Sequence, residues 1–329
     1  MKREKMVQQT VEFGIKPLRI YDEATIGIVS PASRPMDEKK YQRGVNYLQT
    51  LGYKVVQSEH VLEKKGYLAG EDQFRADDLN AMFRDPQIDA IICTRGGYGT
   101  PRIIDQLDFE AIGNNPKIFV GYSDITAISL AIWQKTGLVT FSGPMVAVEM
   151  ANNIHEFTEQ NFWEMVSSPA PVGVLANPED VPLKIFKPGE AKGRLLGGCL
   201  SLINVLLGTP YCPDFNGAIL FIEEIEEEAY RIDRYLAQMK MAGILDSISG
   251  IVLGQFIDCE PKDRTKPSLE LDEIFHDYFD RLNIPVIQDF AYGHGPIKHT
   301  IPIGAQAYLN TEKGGLIITE GAVSENHIS

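Results

Sequence analysis

The sequence predicts an α/β fold: an N-terminal parallel sheet flanked by helices, followed by a smaller C-terminal domain richer in β structure. Three observations carry this. Short, near-continuous apolar runs recur between residues 25 and 145, each bounded by turn residues, and such runs suit strands buried on both faces. Segments of helical spacing alternate with them, which implies strand–helix crossovers. Pro169, Pro171, Pro178, Pro182 and Pro188 then interrupt the pattern and mark a linker over 166–192. The expected organisation is a polar lead-in over 1–22, an α/β domain over 23–165, the linker, and a β-rich domain over 193–322.

The elements follow in order. Thr25–Ala32 is a buried strand ending in a Ser-Pro loop. A helix starts near Asp37, with Tyr41, Val45, Tyr47 and Leu48 apolar, and closes at Gly52. Lys54–Val56 is a second strand. Helix 71–84 carries Phe74, Leu79, Met82 and Phe83 at helical spacing. Ile88–Thr94 is a third strand, running into Arg95-Gly-Gly-Tyr-Gly99. Ile118–Val120 is a fourth, followed by a turn and by a helix whose apolar side holds Ile125, Ile128, Leu130 and Ile132 until Gly137. Val139–Phe141 is a fifth. Beyond the linker, strands are expected at 218–222, 250–256, 285–289 and 301–308, with a helix over 230–241. In open parallel sheets ligands gather beyond the carboxyl ends of the strands. That places the loops Ser30–Ser33, Arg95–Gly99 and Tyr122–Asp124 together.

Composition narrows the function. A length of 329 residues suits two domains, and 44% hydrophobic residues suffice for real cores. A net charge of −14 argues against a nucleic-acid or anionic-membrane surface, though an anionic small substrate still fits a locally basic pocket. Cys93, Cys199, Cys212 and Cys259 form no C-x-x-C pair and read as reduced thiols. The histidines show no metal-ligand spacing, so no metal or other cofactor is expected. The N-terminus lacks an apolar signal core and no run is long enough to span a bilayer, so a soluble, cytoplasmic protein is expected.

Ser123 is the first candidate for chemistry. A serine on a sharp turn between a buried strand and a helix start is the setting of a nucleophile elbow, although Ile125 stands where a second glycine would complete G-x-S-x-G. The helix N-terminus offers N–H groups and partial positive charge to a developing oxyanion. Capping of the helix by Ser123 or Asp124 is the competing reading. Gly96 and Gly97 allow close approach of backbone to a ligand, or simply a tight turn. Glu223 stands where an apolar strand ends and an acidic run begins, so that the strand carries it out of the core. His294 lies between two glycines, a poor setting for packing. The order Ser…Glu…His matches nucleophile, orienting carboxylate and base.

Gly121-Tyr-Ser-Asp-Ile-Thr126, Arg95–Gly99, Phe141-Ser-Gly-Pro-Met145, Leu220-Phe-Ile-Glu223 with Tyr230-Arg-Ile-Asp-Arg234, and Gly293-His294 together resemble the LD-carboxypeptidases, serine peptidase family S66. The likeness spans about Ile26 to Leu309 and is nearest the cytoplasmic muramoyltetrapeptide carboxypeptidases. It implies an N-terminal domain like the class I glutamine amidotransferases. It also implies a triad of Ser123, Glu223 and His294, with an oxyanion hole from the N–H groups of Asp124 and either Gly96 or Gly97, Gly97 being favoured. Arg95, Gly96 and Tyr98 become substrate contacts, with Arg95 the candidate for the terminal carboxylate and a structural salt bridge as its alternative. The implied substrate is a murein tetrapeptide, or its muramoyl- or nucleotide-linked form, that loses its terminal D-alanine; a homodimer is implied too. Two other readings are an amidase of the microcin-immunity type, acting on peptidyl-nucleotides, and a non-catalytic binder of wall peptides. Two positions depart from the family pattern: Cys199 replaces an Asn, and Glu224 replaces an Asp.

Overall fold

A computed structural model describes residue 11 and residues 13–325. The first half alternates strand and helix: β1 (Thr25–Val29), α1 (Glu38–Thr50), β2 (Lys54–Gln57), α2 (Asp72–Arg84), β3 (Ala90–Cys93), α3 (Phe109–Asn114), β4 (Ile118–Val120), α4 (Thr126–Thr136), β5 (Thr140–Ser142) and α5 (Glu156–Ser167). The second half adds β6 (Gly173–Leu175), β7 (Lys184–Lys187), β8 (Glu190–Cys199), α6 (Leu200–Leu206), β9 (Ile219–Ile225), α7 (Ala229–Met241), α8 (Ile244–Ser247) and β10 (Gly250–Ile257). It ends with α9 (Leu271–Phe279), β11 (Val286–Gln288), β12 (Ile301–Ile303), β13 (Gln306–Asn310) and β14 (Gly315–Ile318).

The first sheet runs β2-β1-β3-β4-β5 in parallel, with β12 added antiparallel on the β5 edge. Its strands are short and apolar because helices and loops cover them: Ile26, Ile28, Ile91 and Phe119 are fully buried. Strand order reverses between β1 and β3, so the loops leaving those two strands flank a crevice at their carboxyl ends. Hydrogen bonds tie the loops together there. Ser30 Oγ lies 2.7 Å from Thr94 Oγ1, and the Ser33 N–H donates to the Gly96 carbonyl at 3.3 Å.

The second sheet is wider, with eight strands ordered β6-β14-β13-β8-β9-β10-β11-β7. Its centre, β8 to β11, is parallel, and the flanking strands are antiparallel. Two of those flanking strands, β6 and β7, come from the stretch expected to be a linker. Its prolines all lie outside them, where no ladder hydrogen bond is lost.

Three further features differ from the sequence expectation. The apolar stretch 301–308 is two strands in two sheets. At Gly304, with φ of +96°, the chain passes over Trp133 so closely that a Cβ would lie 2.3 Å from the indole ring. Helix α4 has no polar side; from Thr126 to Trp133 every residue is buried, because α4 packs against β5 on one side and against α6 and β8 of the second half on another. Glu223 does not leave the core: β9 continues to Ile225, and Glu223 is fully buried between β8 and β10.

Candidate active site

Ser123 follows β4 through Gly121-Tyr122, at the start of a single 3-10 turn over Ser123–Ile125 that leads into α4. Its φ is +63°, a left-handed value that costs a non-glycine residue about 1–2 kcal/mol. Neither Ser123 nor Asp124 caps the helix with its side chain. Asp124 instead faces the glycine-rich loop: its Oδ2 accepts from the Thr100 N–H at 2.8 Å, and the Thr100 hydroxyl donates to its carbonyl at 2.5 Å. Burial pushes the Asp124 carboxyl above its ordinary value, and the Thr100 bonds offset part of that.

The loop after β3 presses against this turn. A Cβ on Gly96 would lie 2.8 Å from Ser123 Cβ, 3.0 Å from its Oγ and 3.2 Å from the Asp124 nitrogen. A Cβ on Gly97, whose φ is +111°, would lie 2.4 Å from Ser33 Oγ. Both positions therefore require glycine; Gly96 brings backbone beside the Ser123 hydroxyl, and Gly97 packs on Ser33. The Ser33 hydroxyl donates to the Tyr67 carbonyl at 2.6 Å and accepts from the Tyr98 N–H at 3.2 Å, holding the loop in place. Buried Arg75 reaches the same loop, donating to the Gly99 carbonyl at 2.9 Å.

The second half brings the other two groups. Nδ1 of His294 lies 2.7 Å from Oε2 of Glu223, and the imidazole is 13% exposed while the carboxylate is wholly buried. With a carboxylate as acceptor, Nδ1 carries the hydrogen and Nε2 is left as the basic nitrogen. The other oxygen of Glu223, Oε1, is buried without a hydrogen-bond partner among the described residues. The His294 ring also meets the Tyr122 ring edge-on, with centroids 5.1 Å apart.

Ser123 and His294 line one cleft of about 470 Å³ together with Arg95, Gly96, Gly97 and Tyr122. Lys40 also lines it, and among the described residues neither Lys40 nor Arg95 is held in an ion pair. Arg95 is thus available to an anion, with no salt bridge among the described residues. Tyr98 lies outside this cleft. It is half-exposed, stands edge-on to Tyr67 at 5.3 Å, and borders a neighbouring hollow that also touches Ser123. The two departures from the family pattern touch each other: the Cys199 thiol donates to Oε1 of Glu224 at 3.2 Å.

Two residues with no sequence signal complete the surroundings. Oε1 of Glu149 accepts from the Tyr122 hydroxyl at 2.8 Å and from the Lys298 ammonium at 2.5 Å. Burial alone would raise the Glu149 carboxyl, but Lys298 and the donors from Met145 and Tyr122 outweigh it and hold the group below its ordinary value. Glu149 and Lys298 are 149 positions apart, and no local pattern pairs them.

Residues 26–143 match the family model described as the LD-carboxypeptidase N-terminal domain, and residues 192–309 match the LD-carboxypeptidase C-terminal domain. The chain is 41% identical to the probable murein peptide carboxypeptidase of Bacillus subtilis (strain 168), over 94% of this chain and 96% of that one. It is 30% identical to the microcin C7 self-immunity protein MccF of Escherichia coli, over 94% and 96% of the two chains. A structure of MccF in complex with aspartyl sulfamoyl adenosine superposes with a TM-score of 0.87 at 27% identity, covering 94% of this chain and 100% of that one. The muramoyltetrapeptide carboxypeptidase of Oxalobacter formigenes superposes with a TM-score of 0.79 at 30% identity, covering 91% and 99%.

Proposed function

Because the chain belongs to the LD-carboxypeptidases, serine peptidase family S66, we propose that it hydrolyses the L,D-amide bond that holds the terminal D-alanine of a murein tetrapeptide. The observation that carries this is the 2.7 Å Glu223–His294 contact opening onto the same cleft as a strained Ser123. In this reading His294 takes the proton of Ser123 through Nε2 as the hydroxyl attacks the carbonyl of the penultimate residue. Glu223 holds the ring and stabilises its charged form. The oxyanion forms against the N–H groups of Asp124 and Gly97. His294 then protonates the departing D-alanine nitrogen, and water attacks the acyl-enzyme with the same histidine as base.

Arg95 and Lys40 supply the cations that a free terminal carboxylate needs in a chain with a net charge of −14. The proposal includes a cytoplasmic setting and a homodimer, for which the family resemblance is the support; light scattering of the purified protein checks the dimer.

One second reading has an observation behind it. The superposition on MccF and the exposed Tyr67–Tyr98 pair at the edge of the site suit an amidase acting on a peptidyl-nucleotide, with the tyrosines against the base. Mass spectrometry of the protein with L-Ala-γ-D-Glu-L-Lys-D-Ala and its diaminopimelate counterpart, beside Ser123→Ala, separates the two. Loss of one alanine by wild type alone supports the carboxypeptidase. Intact tetrapeptides alongside cleavage of an aminoacyl sulfamoyl nucleoside would replace it with the amidase.

A further inference from the structure

We propose that Gln255 is the positioning residue that holds His294 against Glu223, acting through the backbone on both sides of the histidine. This rests on the triad reading above. The His294 ring is lightly held by its own contacts. Among the described residues it makes one hydrogen bond, to Glu223, and it meets the edge of the Tyr122 ring. The backbone beneath it reads Gly293-His294-Gly295, and each glycine widens the range of φ and ψ open to the loop. Where the imidazole sits is therefore set by whatever grips the loop from outside.

Strand β10 supplies that grip. It pairs with β9 in register as far as Leu253, opposite Ile222, and the pairing resumes with Phe256 opposite Glu224. Gly254 and Gln255 therefore stand across from the single residue Glu223. A bulge of this kind bends its strand and re-aims the side chains on it. The other edge of β10 guides the incoming loop. The Leu253 carbonyl accepts from the Phe290 N–H at 3.1 Å, and the Gln255 N–H donates to the Tyr292 carbonyl at 2.8 Å. The chain then turns away at Gly293, with φ of +135°. From there the Gln255 side chain takes over, and its Oε1 accepts from the Gly295 N–H at 3.1 Å. One residue thus bonds to the loop before and after His294.

Close packing supports the same assignment independently of the hydrogen bonds. A Cβ on Gly295 would lie 2.3 Å from Gln255 Oε1, and a Cβ on Gly293 would lie 3.3 Å from the Cβ atoms of both Gln255 and Glu223. A Cβ on Gly254 would lie 2.5 Å from the Tyr292 carbonyl oxygen. The glycines on either side of His294 are therefore the room that its clamp occupies, and Gly254 lets the bulge press against the loop. Gln255 is half-buried and does not line the cleft that holds Ser123 and His294. Its influence on the reaction runs through the aim of the imidazole and not through the substrate.

The test measures kcat and KM on the two tetrapeptides named above for wild type, Gln255→Met, Gln255→Glu and Gly295→Ala, with a crystal structure of each variant. Methionine matches glutamine in length but offers Gly295 no oxygen, whereas glutamate keeps an acceptor at the same reach. Gln255→Met lowers kcat about 10–10²-fold and leaves KM within about twofold, because a misaimed base costs the transition state and not ground-state binding. Gln255→Glu stays within about fivefold of wild type, and Gly295→Ala, whose methyl displaces the amide, reproduces the loss. A Gln255→Met kcat within about threefold of wild type, or a Gln255→Glu enzyme as slow as Gln255→Met, overturns the inference and leaves the reaction standing. If Gln255→Met does not fold, Gly295→Ala decides: a kcat like that of wild type overturns the inference. If wild type cleaves neither peptide, the reaction reading fails and the crystal structures decide alone. His294 drawn away from Glu223 in Gln255→Met and Gly295→Ala, but not in Gln255→Glu, supports the clamp; a contact unchanged at 2.7 Å in all three overturns it.

Discussion

The Lys298 ammonium lies 2.5 Å from Oε1 of Glu149, with the two side chains 2% and 8% exposed. This buried pair joins the two halves of the molecule beside Tyr122. Lys298 follows His294 on the same loop, and Tyr122 immediately precedes Ser123. The ammonium sits 3.9 Å from the centre of the Tyr122 ring, whose hydroxyl shares the Glu149 oxygen. The pair therefore ties the loop that carries His294 to the turn that carries Ser123.

Removing one partner strands the other. Lys298→Met leaves a buried carboxylate whose main counter-charge is gone, and lowers unfolding free energy by about 3–5 kcal/mol. Glu149→Gln combined with Lys298→Met loses less than the sum of the single changes, by about 1–3 kcal/mol. Denaturant titration of the four proteins checks this; strictly additive losses would show that the pair does not act as a unit.

Ser123 is held at φ +63° by the turn that serves it. Ser123→Gly relieves that strain, so it raises stability by about 0.5–1.5 kcal/mol while abolishing hydrolysis. Ser123→Ala abolishes hydrolysis without the gain. Melting curves and turnover measured on both variants separate strain from chemistry, and a Gly variant no more stable than the Ala variant would contradict the account.

Glu223→Gln keeps the shape of the triad and removes its charge. The amide can present a donor to Nδ1 and so favour the wrong tautomer of His294, and kcat falls by up to about 10⁴ with KM little changed. A loss under tenfold would remove Glu223 from the mechanism.

Much of this was legible in the chain. The strands of the first sheet announce themselves because burial on both faces makes them short, unbroken apolar runs, as in Ile118–Val120. Ser123 was legible because strand, turn and helix start follow within a few residues. The depth of Glu223 was not, since an acidic run after an apolar strand looks the same whether the strand stops or continues into the core. Nor was the break at Gly304, where two strands separated by Gly304 and Ala305 read as a single alternating run. The Glu149–Lys298 pair depends on a fold-level approach that no sequence spacing encodes.

Gly96 tests the wall of the oxyanion site. Gly96→Ala places a methyl 2.8 Å from Ser123 Cβ, so serine or loop must shift. We expect kcat to fall about 10²–10³-fold, the usual cost of a displaced oxyanion donor. A kcat within threefold of wild type would argue that the loop plays no part in stabilising the intermediate.

Glu224 carries a pH signature. Burial first, and then the charge of Glu223, raise its carboxyl above the ordinary 4.5. A raised carboxyl favours the protonated folded state, so its ionisation costs stability as pH rises through the folded value and costs nothing below the unfolded one. Glu224→Gln therefore raises the melting temperature near pH 7.5, by roughly 2–4 °C for each kcal/mol recovered, with no gain near pH 4. An equal gain at both pH values would place the effect in packing instead of charge.

Strand β12 gives the molecule a timetable as well as a shape. Ile301–Ile303 close the edge of a sheet whose other strands were all made before residue 143. During synthesis the Ser123 turn emerges long before this closing strand, and His294 emerges only just ahead of it. A nascent chain therefore holds an unsealed β5 edge, and Ser123 without His294, while about 150 residues are added. Sealing of the first sheet and arrival of His294 then come within about ten residues of each other, so the first sheet and the cleft that Ser123 shares with His294 are completed together.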